Sequence, residues 1–101
     1  FGQDKLTALQ ATGERLVVGS GKGGLSCWCV KRGQKLWQRE AAHLRRIMAI
    51  RRSLRGQLVT AGEDGCVRVW EELASGPQLR LELPNVVAAD LCVAGDRLYA
   101  V

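Results

Sequence analysis

His43, Thr60 and Asp64 supply an imidazole, a hydroxyl and a carboxylate, the three parts of a nucleophile, base and orienter set. Used that way, Thr60 would attack an acyl carbon, His43 would take its proton and Asp64 would hold the ring. That chemistry needs an exposed hydroxyl and an oxyanion site, and nothing near these residues in the sequence supplies one. The stretch Gly19-Ser20-Gly21-Lys22-Gly23-Gly24 surrounds a lysine with glycine amides, which can cradle a phosphate. It departs from the phosphate-loop pattern twice: Leu16 stands where a glycine is needed, and Gly23 follows Lys22 in place of Ser or Thr. Cys27, Cys29, Cys66 and Cys92 could form two disulfides or hold zinc. Cys27 and Cys29 are separated by Trp28 alone, which is strand spacing and not the usual zinc-ligand spacing. The expectation is free, buried thiols in a reducing intracellular setting, cytoplasmic or nuclear, with no metal and no cofactor.

Charge offers a different kind of site. The 101 residues carry a formal charge of +5, and it is uneven. Between residues 31 and 55 stand Lys31, Arg32, Lys35, Arg39, Arg45, Arg46, Arg51, Arg52 and Arg55, opposed only by Glu40. Such a run suits an acidic protein, a nucleic acid or an acidic lipid surface. Trp37 is the one Phe, Tyr or Trp within it, short of the successive aromatics that a base-stacking platform requires. No apolar run approaches the ~20 residues of a membrane-spanning helix. The first residues, Phe1-Gly2-Gln3-Asp4, show neither an initiating Met nor a basic-then-apolar leader, so an excised, unsecreted piece is expected.

The elements that must position these residues come from a repeat. Leu16 to Trp28 aligns without a gap on Leu58 to Trp70, at an offset of 42 residues. A third copy begins at Asn85, where Gly95-Asp96-Arg97-Leu98-Tyr99-Ala100-Val101 parallels Gly13 to Gly19. A period of this length, made of short strands and turns, belongs to propeller blades. The predicted strands are Leu6–Gln10, Arg15–Ser20, Leu25–Val30 and Lys35–Glu40, then Arg46–Arg51, Gln57–Ala61, Cys66–Glu71 and Gln78–Leu83. Val86–Val93 and Arg97–Val101 complete the set. Breaks fall at Thr12-Gly13, Gly21 to Gly24, Lys31-Arg32-Gly33, Ser53 to Gly56, Glu63-Asp64-Gly65 and Ser75-Gly76-Pro77.

The run Leu58-Val59-Thr60-Ala61-Gly62-Glu63-Asp64-Gly65-Cys66-Val67-Arg68-Val69-Trp70 resembles the most recognisable stretch of the WD-repeat β-propeller family. Ala42-His43 stands where that family places Gly-His, and Trp70-Glu71 stands for its Trp-Asp pair. The resemblance implies an all-β propeller fragment of four-stranded antiparallel blades. Blade one spans about residues 5–41, blade two about 43–84 and the first half of blade three about 85–101. Further blades would be needed for closure. It also implies a structural role for His43, Thr60, Asp64 and Trp70, in which the imidazole joins the turn carboxylate to the hydroxyl and the indole. The first copy has Val18 and Lys22 in place of the hydroxyl and the Asp, and so is expected to lack that network.

Propeller geometry divides the basic residues. It places Arg45 and Arg46 on one rim and Lys31, Arg32, Arg52 and Arg55 on the other. Arg45, Arg46, Arg51, Arg52 and Arg55 are the candidate partner-binding residues, and Trp37 is expected to pack between blades. Neither Trp28-Cys29-Val30-Lys31 nor Trp70-Glu71-Glu72-Leu73 matches the Trp-Asp-x-Arg of the family's cullin-ligase receptors. The functional expectation is a non-enzymatic scaffold for protein or peptide partners, acidic ones fitting best, as in adaptors and substrate receptors of larger complexes. The alternative is a basic propeller subunit that binds RNA, DNA or acidic lipid.

Overall fold

A computed structural model describes residues 5–53, 55–86, 91–94 and 97–100, with side chains for the first two of these ranges. Ten strands follow one another: β1 (Leu6–Thr12), β2 (Arg15–Ser20), β3 (Leu25–Cys29), β4 (Gln34–Arg39), β5 (Ile47–Arg52), β6 (Leu58–Gly62), β7 (Val67–Leu73), β8 (Gly76–Leu83), β9 (Leu91–Ala94) and β10 (Arg97–Ala100). They form two four-stranded antiparallel sheets, ordered β1-β2-β3-β4 and β5-β6-β7-β8, and a β9–β10 hairpin. Each strand pairs with its sequence neighbour, because the short Gly-rich turns leave no length for a crossover.

The repeat extends to irregularities. The ladder shifts between Leu6 and Ala8 in the first sheet and between Ile47 and Ala49 in the second. It shifts again at Cys27/Trp28 and at Val69/Trp70. The β2–β3 and β6–β7 turns place Gly23 and Gly65 at φ +87° and +81°, a backbone region that disfavours side chains. Both turns bond in the same way: Gly23 N donates to Ser20 O and Gly65 N to Gly62 O, each at 3.2 Å.

Burial follows each strand's place in its sheet. β6 is a central strand covered on both faces, and all of Leu58, Val59, Thr60, Ala61 and Gly62 is buried. β4 and β8 are edge strands, largely exposed, and each carries two charged residues among exposed leucines. Between the sheets, Val17, Leu25 and Cys27 meet Ala42, Ile47, Ile50, Leu58 and Trp70, with Ala8 and Trp37 packed against them. A second cluster of Ala49, Val59, Ala61 and Val67 forms on the other face of the second sheet, with Val86 against it. The joints share one backbone bond. His43 N donates to Gly23 O at 3.0 Å, and Val86 N donates to Gly65 O at 2.7 Å.

Position by position, the first sheet has one open face. Ile47 and Ile50 are fully buried against the first sheet, whereas their repeat equivalents Leu6 and Leu9 are 57% and 61% exposed.

Two strand expectations change. The break expected at Ser75-Gly76-Pro77 narrows to Ala74-Ser75, since Leu73 pairs directly with Gly76 and Pro77 with Glu72. β8 is an edge strand, where the missing N–H of Pro77 is tolerated. The strand expected over Val86–Val93 is present as Leu91–Ala94, residues 87–90 lying outside the described residues. The side chain of Cys92, Gly95-Asp96 and Val101 also lie outside them.

Candidate functional site

The β4–β5 link and the β6–β7 turn bring the chemistry-capable residues together. Trp70 Nε1 donates to Thr60 Oγ1 at 3.0 Å, so the Thr60 hydroxyl donates in turn to His43 Nε2 at 2.7 Å. That leaves the His43 Nδ1–H to donate to Asp64, with Oδ1 at 3.0 Å and Oδ2 at 3.2 Å. Asp64 also accepts from Leu44 N at 2.9 Å and Cys66 N at 3.2 Å. His43, Thr60 and Trp70 are all at most 1% exposed. The hydroxyl is enclosed, bonded on both sides and without a path for a substrate. The four residues therefore tie a turn, a link and two strands to one another.

Electrostatics follow from this enclosure. Burial pushes His43 below the ordinary imidazole range, although the Asp64 hydrogen bond opposes it. Burial alone would raise Asp64, but the hydrogen bonds from Leu44 N, His43 and Cys66 N outweigh it and hold the carboxyl below its usual range. Imidazole neutral and carboxylate charged is the pair's resting state near neutrality.

Two further residues belong to this network. Arg68 Nη1 donates to Ala42 O at 2.7 Å and to Asp64 Oδ2 at 3.3 Å. Its Nε and Nη2 donate to Glu82 Oε1 at 2.9 and 2.6 Å. Arg68 thereby links the tetrad to edge strand β8. The signal for this pair is the ladder register, which sets Arg68 opposite both Thr60 and Glu82.

At the equivalent positions of the first sheet stand two separate side-chain bonds. Trp28 Nε1 donates to Ser26 Oγ at 2.9 Å, and Gly24 N donates to Ser20 Oγ at 3.0 Å. Gly24 is the repeat equivalent of Cys66, so the same backbone donor is satisfied by Ser20 in one sheet and Asp64 in the other.

The basic residues separate once their partners are known. Arg52 is only 16% exposed, and its Nη1 bonds Glu72 Oε1 at 2.6 Å. Glu72 also accepts from Trp37 Nε1 at 3.0 Å and lies 3.6 Å from Arg15, so one carboxylate clasps both sheets. Arg52, expected to face partners, is instead part of this joint. Glu72 was not singled out in the sequence, because only the packing of the two sheets gives it partners. Arg46 pairs with Glu63 at 2.9 Å, and Arg51 donates to Ile50 O at 2.8 Å. Arg45 and Arg55 are exposed. The Gly19–Gly24 segment is the β2–β3 turn. Cys27, Cys29 and Cys66 are free thiols, and burial together with nearby Glu72 raises Cys27. Among the described residues no cluster of His, Cys, Asp or Glu suits a metal ion, and no helix is long and apolar enough to cross a membrane.

Solved structures share this arrangement. The Cps50 (Swd1) β-propeller domain of Myceliophteria thermophila superposes with a TM-score of 0.71 at 17% identity, over 81% of this chain and 29% of that one. The chain has the fold of a WD-repeat β-propeller. A chain of the mitotic checkpoint complex superposes with a TM-score of 0.75 at 14% identity, over 89% of this chain and 30% of that one. The two sheets are accordingly propeller blades, and the chain spans under a third of the length of these solved propeller chains. By sequence, the chain matches no protein-family model and no curated protein.

Proposed function

We propose that this chain is part of a non-enzymatic scaffold whose turns and rims bind protein or peptide partners, with further blades completing the ring. The observation that carries this reading is the enclosure of Thr60: its hydroxyl accepts from Trp70 and donates to His43, and none of its surface is exposed. His43, Thr60, Asp64 and Trp70 act as a structural tetrad that pins the β4–β5 link, so the blade edge above them is a rigid presenting surface. Fold does not choose a partner, and unrelated functions share propellers. An intracellular site, cytoplasmic or nuclear, agrees with the free thiols of Cys27, Cys29 and Cys66.

Selection of displayed random peptides against the full chain tests the reading. Discrete peptide ligands are expected, together with ester and phosphoester hydrolysis no faster than in buffer. Salt-dependent binding to random oligonucleotides that is lost on substituting Arg45 and Arg55 would contradict it and favour a nucleic-acid subunit.

A further inference from the structure

The unpaired charge sits elsewhere than the basic run suggests. Lys5, Lys22, Arg32 and Arg45 are the exposed cations without a side-chain hydrogen bond, ion pair or ring contact among the described residues, Arg39 lying over the Trp70 ring. Three of these four share one rim. Gly21 N donates to Lys5 O at 2.8 Å, which ties Lys5 to the β2–β3 turn. The same turn, carrying Lys22, rests on the β4–β5 link: a Cβ on Gly23 would lie 1.9 Å from His43 O and 2.8 Å from Arg45 O. Arg32 lies on the opposite rim, in the β3–β4 turn.

Leu44 lies in the same β4–β5 link, between His43 and Arg45. It is 81% exposed, more than any other large apolar side chain among the described residues. A single exposed leucine is ordinary by itself. The backbone that carries this one is held by hydrogen bonds. Its own N–H bonds Asp64 Oδ2, the preceding His43 is buried in the tetrad, Ala42 O accepts from Arg68, and Glu63 N donates to Arg46 O at 2.8 Å. Each backbone tie holds the link in place before any partner arrives, which removes an ordering cost from binding.

We propose that Lys5, Lys22, Leu44 and Arg45 form a docking surface for a short acidic peptide segment that carries an apolar residue among its carboxylates. The apolar residue would cover Leu44, and the carboxylates would meet the three cations. Of the nearby carboxylates in sequence, Glu63 is already paired with Arg46. Three cations fall short of the roughly six to ten phosphate contacts of strong nucleic-acid binders. Leu44, moreover, would have nothing to cover it on a phosphate backbone. This proposal rests on the scaffold reading and names its partner class.

The test is fluorescence anisotropy of the full chain with a labelled dodecapeptide holding one central leucine among aspartates and glutamates. Two control peptides replace the leucine by serine or the acids by their amides. The leucine-bearing acidic peptide should bind at least about fivefold more tightly than either control. Leu44→Ser and Arg45→Glu should each weaken it by about fivefold or more, and Arg32→Glu should leave it unchanged. Thermal melts of Leu44→Ser should match the parent, because the substitution keeps the backbone bond to Asp64. Three results would overturn the surface: no binding of the acidic leucine peptide, an equal loss from Arg32→Glu, or tighter binding of a twelve-nucleotide oligothymidine through Leu44 and Arg45. Selected peptides that bind without regard to Leu44 and Arg45 would sink this surface while leaving the scaffold reading intact. Failure to select any peptide would sink both.

Discussion

Gly62 and His43 compete for one volume: a Cβ built on Gly62 would sit 2.3 Å from His43 Nδ1 and 2.6 Å from Asp64 Oδ1. Ser20 holds the equivalent place in the first blade, where its hydroxyl caps Gly24 N. The exchange has a single cause. Where the imidazole and carboxylate fill the joint, the strand end must be glycine; in the first blade a hydroxyl does the carboxylate's work.

Gly62→Ala should therefore destabilise the fold by about 1–3 kcal/mol, since the imidazole and carboxylate cannot both retreat from the new methyl. Ser20→Ala should cost about 1 kcal/mol by leaving Gly24 N without its acceptor. Chemical denaturation of the two variants measures both. An unperturbed midpoint for Gly62→Ala would mean that His43 does not occupy this space.

Acidification should destabilise the protein in two stages. His43 titrates lower when folded than when unfolded, so its contribution is complete above the unfolded value near 6.5 and fades as the pH falls below it. Asp64 is also depressed on folding, so its contribution is present above about 4 and is lost as the pH falls through its lower folded value. Both slopes have the same sign. Stability measured against pH should decline from about pH 6.5 downward and steepen below about pH 4, and His43→Gln should abolish the upper stage and reduce the lower one, because His43 also helps to hold Asp64 down.

Glu72 is the carboxylate that the two blades share. Glu72→Ala should cost about 2 kcal/mol, because Arg52 is left largely buried without its partner and Trp37 Nε1 loses its acceptor. A double-mutant cycle of Glu72→Ala with Trp37→Phe should show coupling of about 0.5 kcal/mol or more across the joint. Additive losses would place the clasp outside the energetics of blade packing.

The alignment of Leu16–Trp28 on Leu58–Trp70 makes strands and turns legible, because these depend on local residue types and a fixed period, whereas His43, Thr60, Asp64 and Trp70 are singled out as a set only by the resemblance to the WD-repeat family. What lay beyond it depends on register and on contacts between sheets. Arg68 and Glu82 are 14 residues apart and meet only because a hairpin with a ladder irregularity sets them opposite. Ser26 has no feature in the sequence that marks its hydroxyl as the acceptor of the Trp28 Nε1–H. Arg52 read as a rim cation, and its burial against Glu72 follows from how one blade leans on the next. Charge along the chain was visible; charge left unpaired was not.

The role of the buried network is tested most directly by urea unfolding of Asp64→Ala beside Lys22→Ala, measured in the complete propeller. Asp64 accepts from His43, Leu44 N, Cys66 N and Arg68, whereas Lys22 is its exposed, unpaired equivalent in the first blade. Asp64→Ala should cost about 3 kcal/mol, as several buried donors lose one acceptor together. Lys22→Ala should leave the unfolding curve unchanged. Equal losses at both positions, or none at Asp64, would contradict the structural role assigned to His43, Thr60, Asp64 and Trp70.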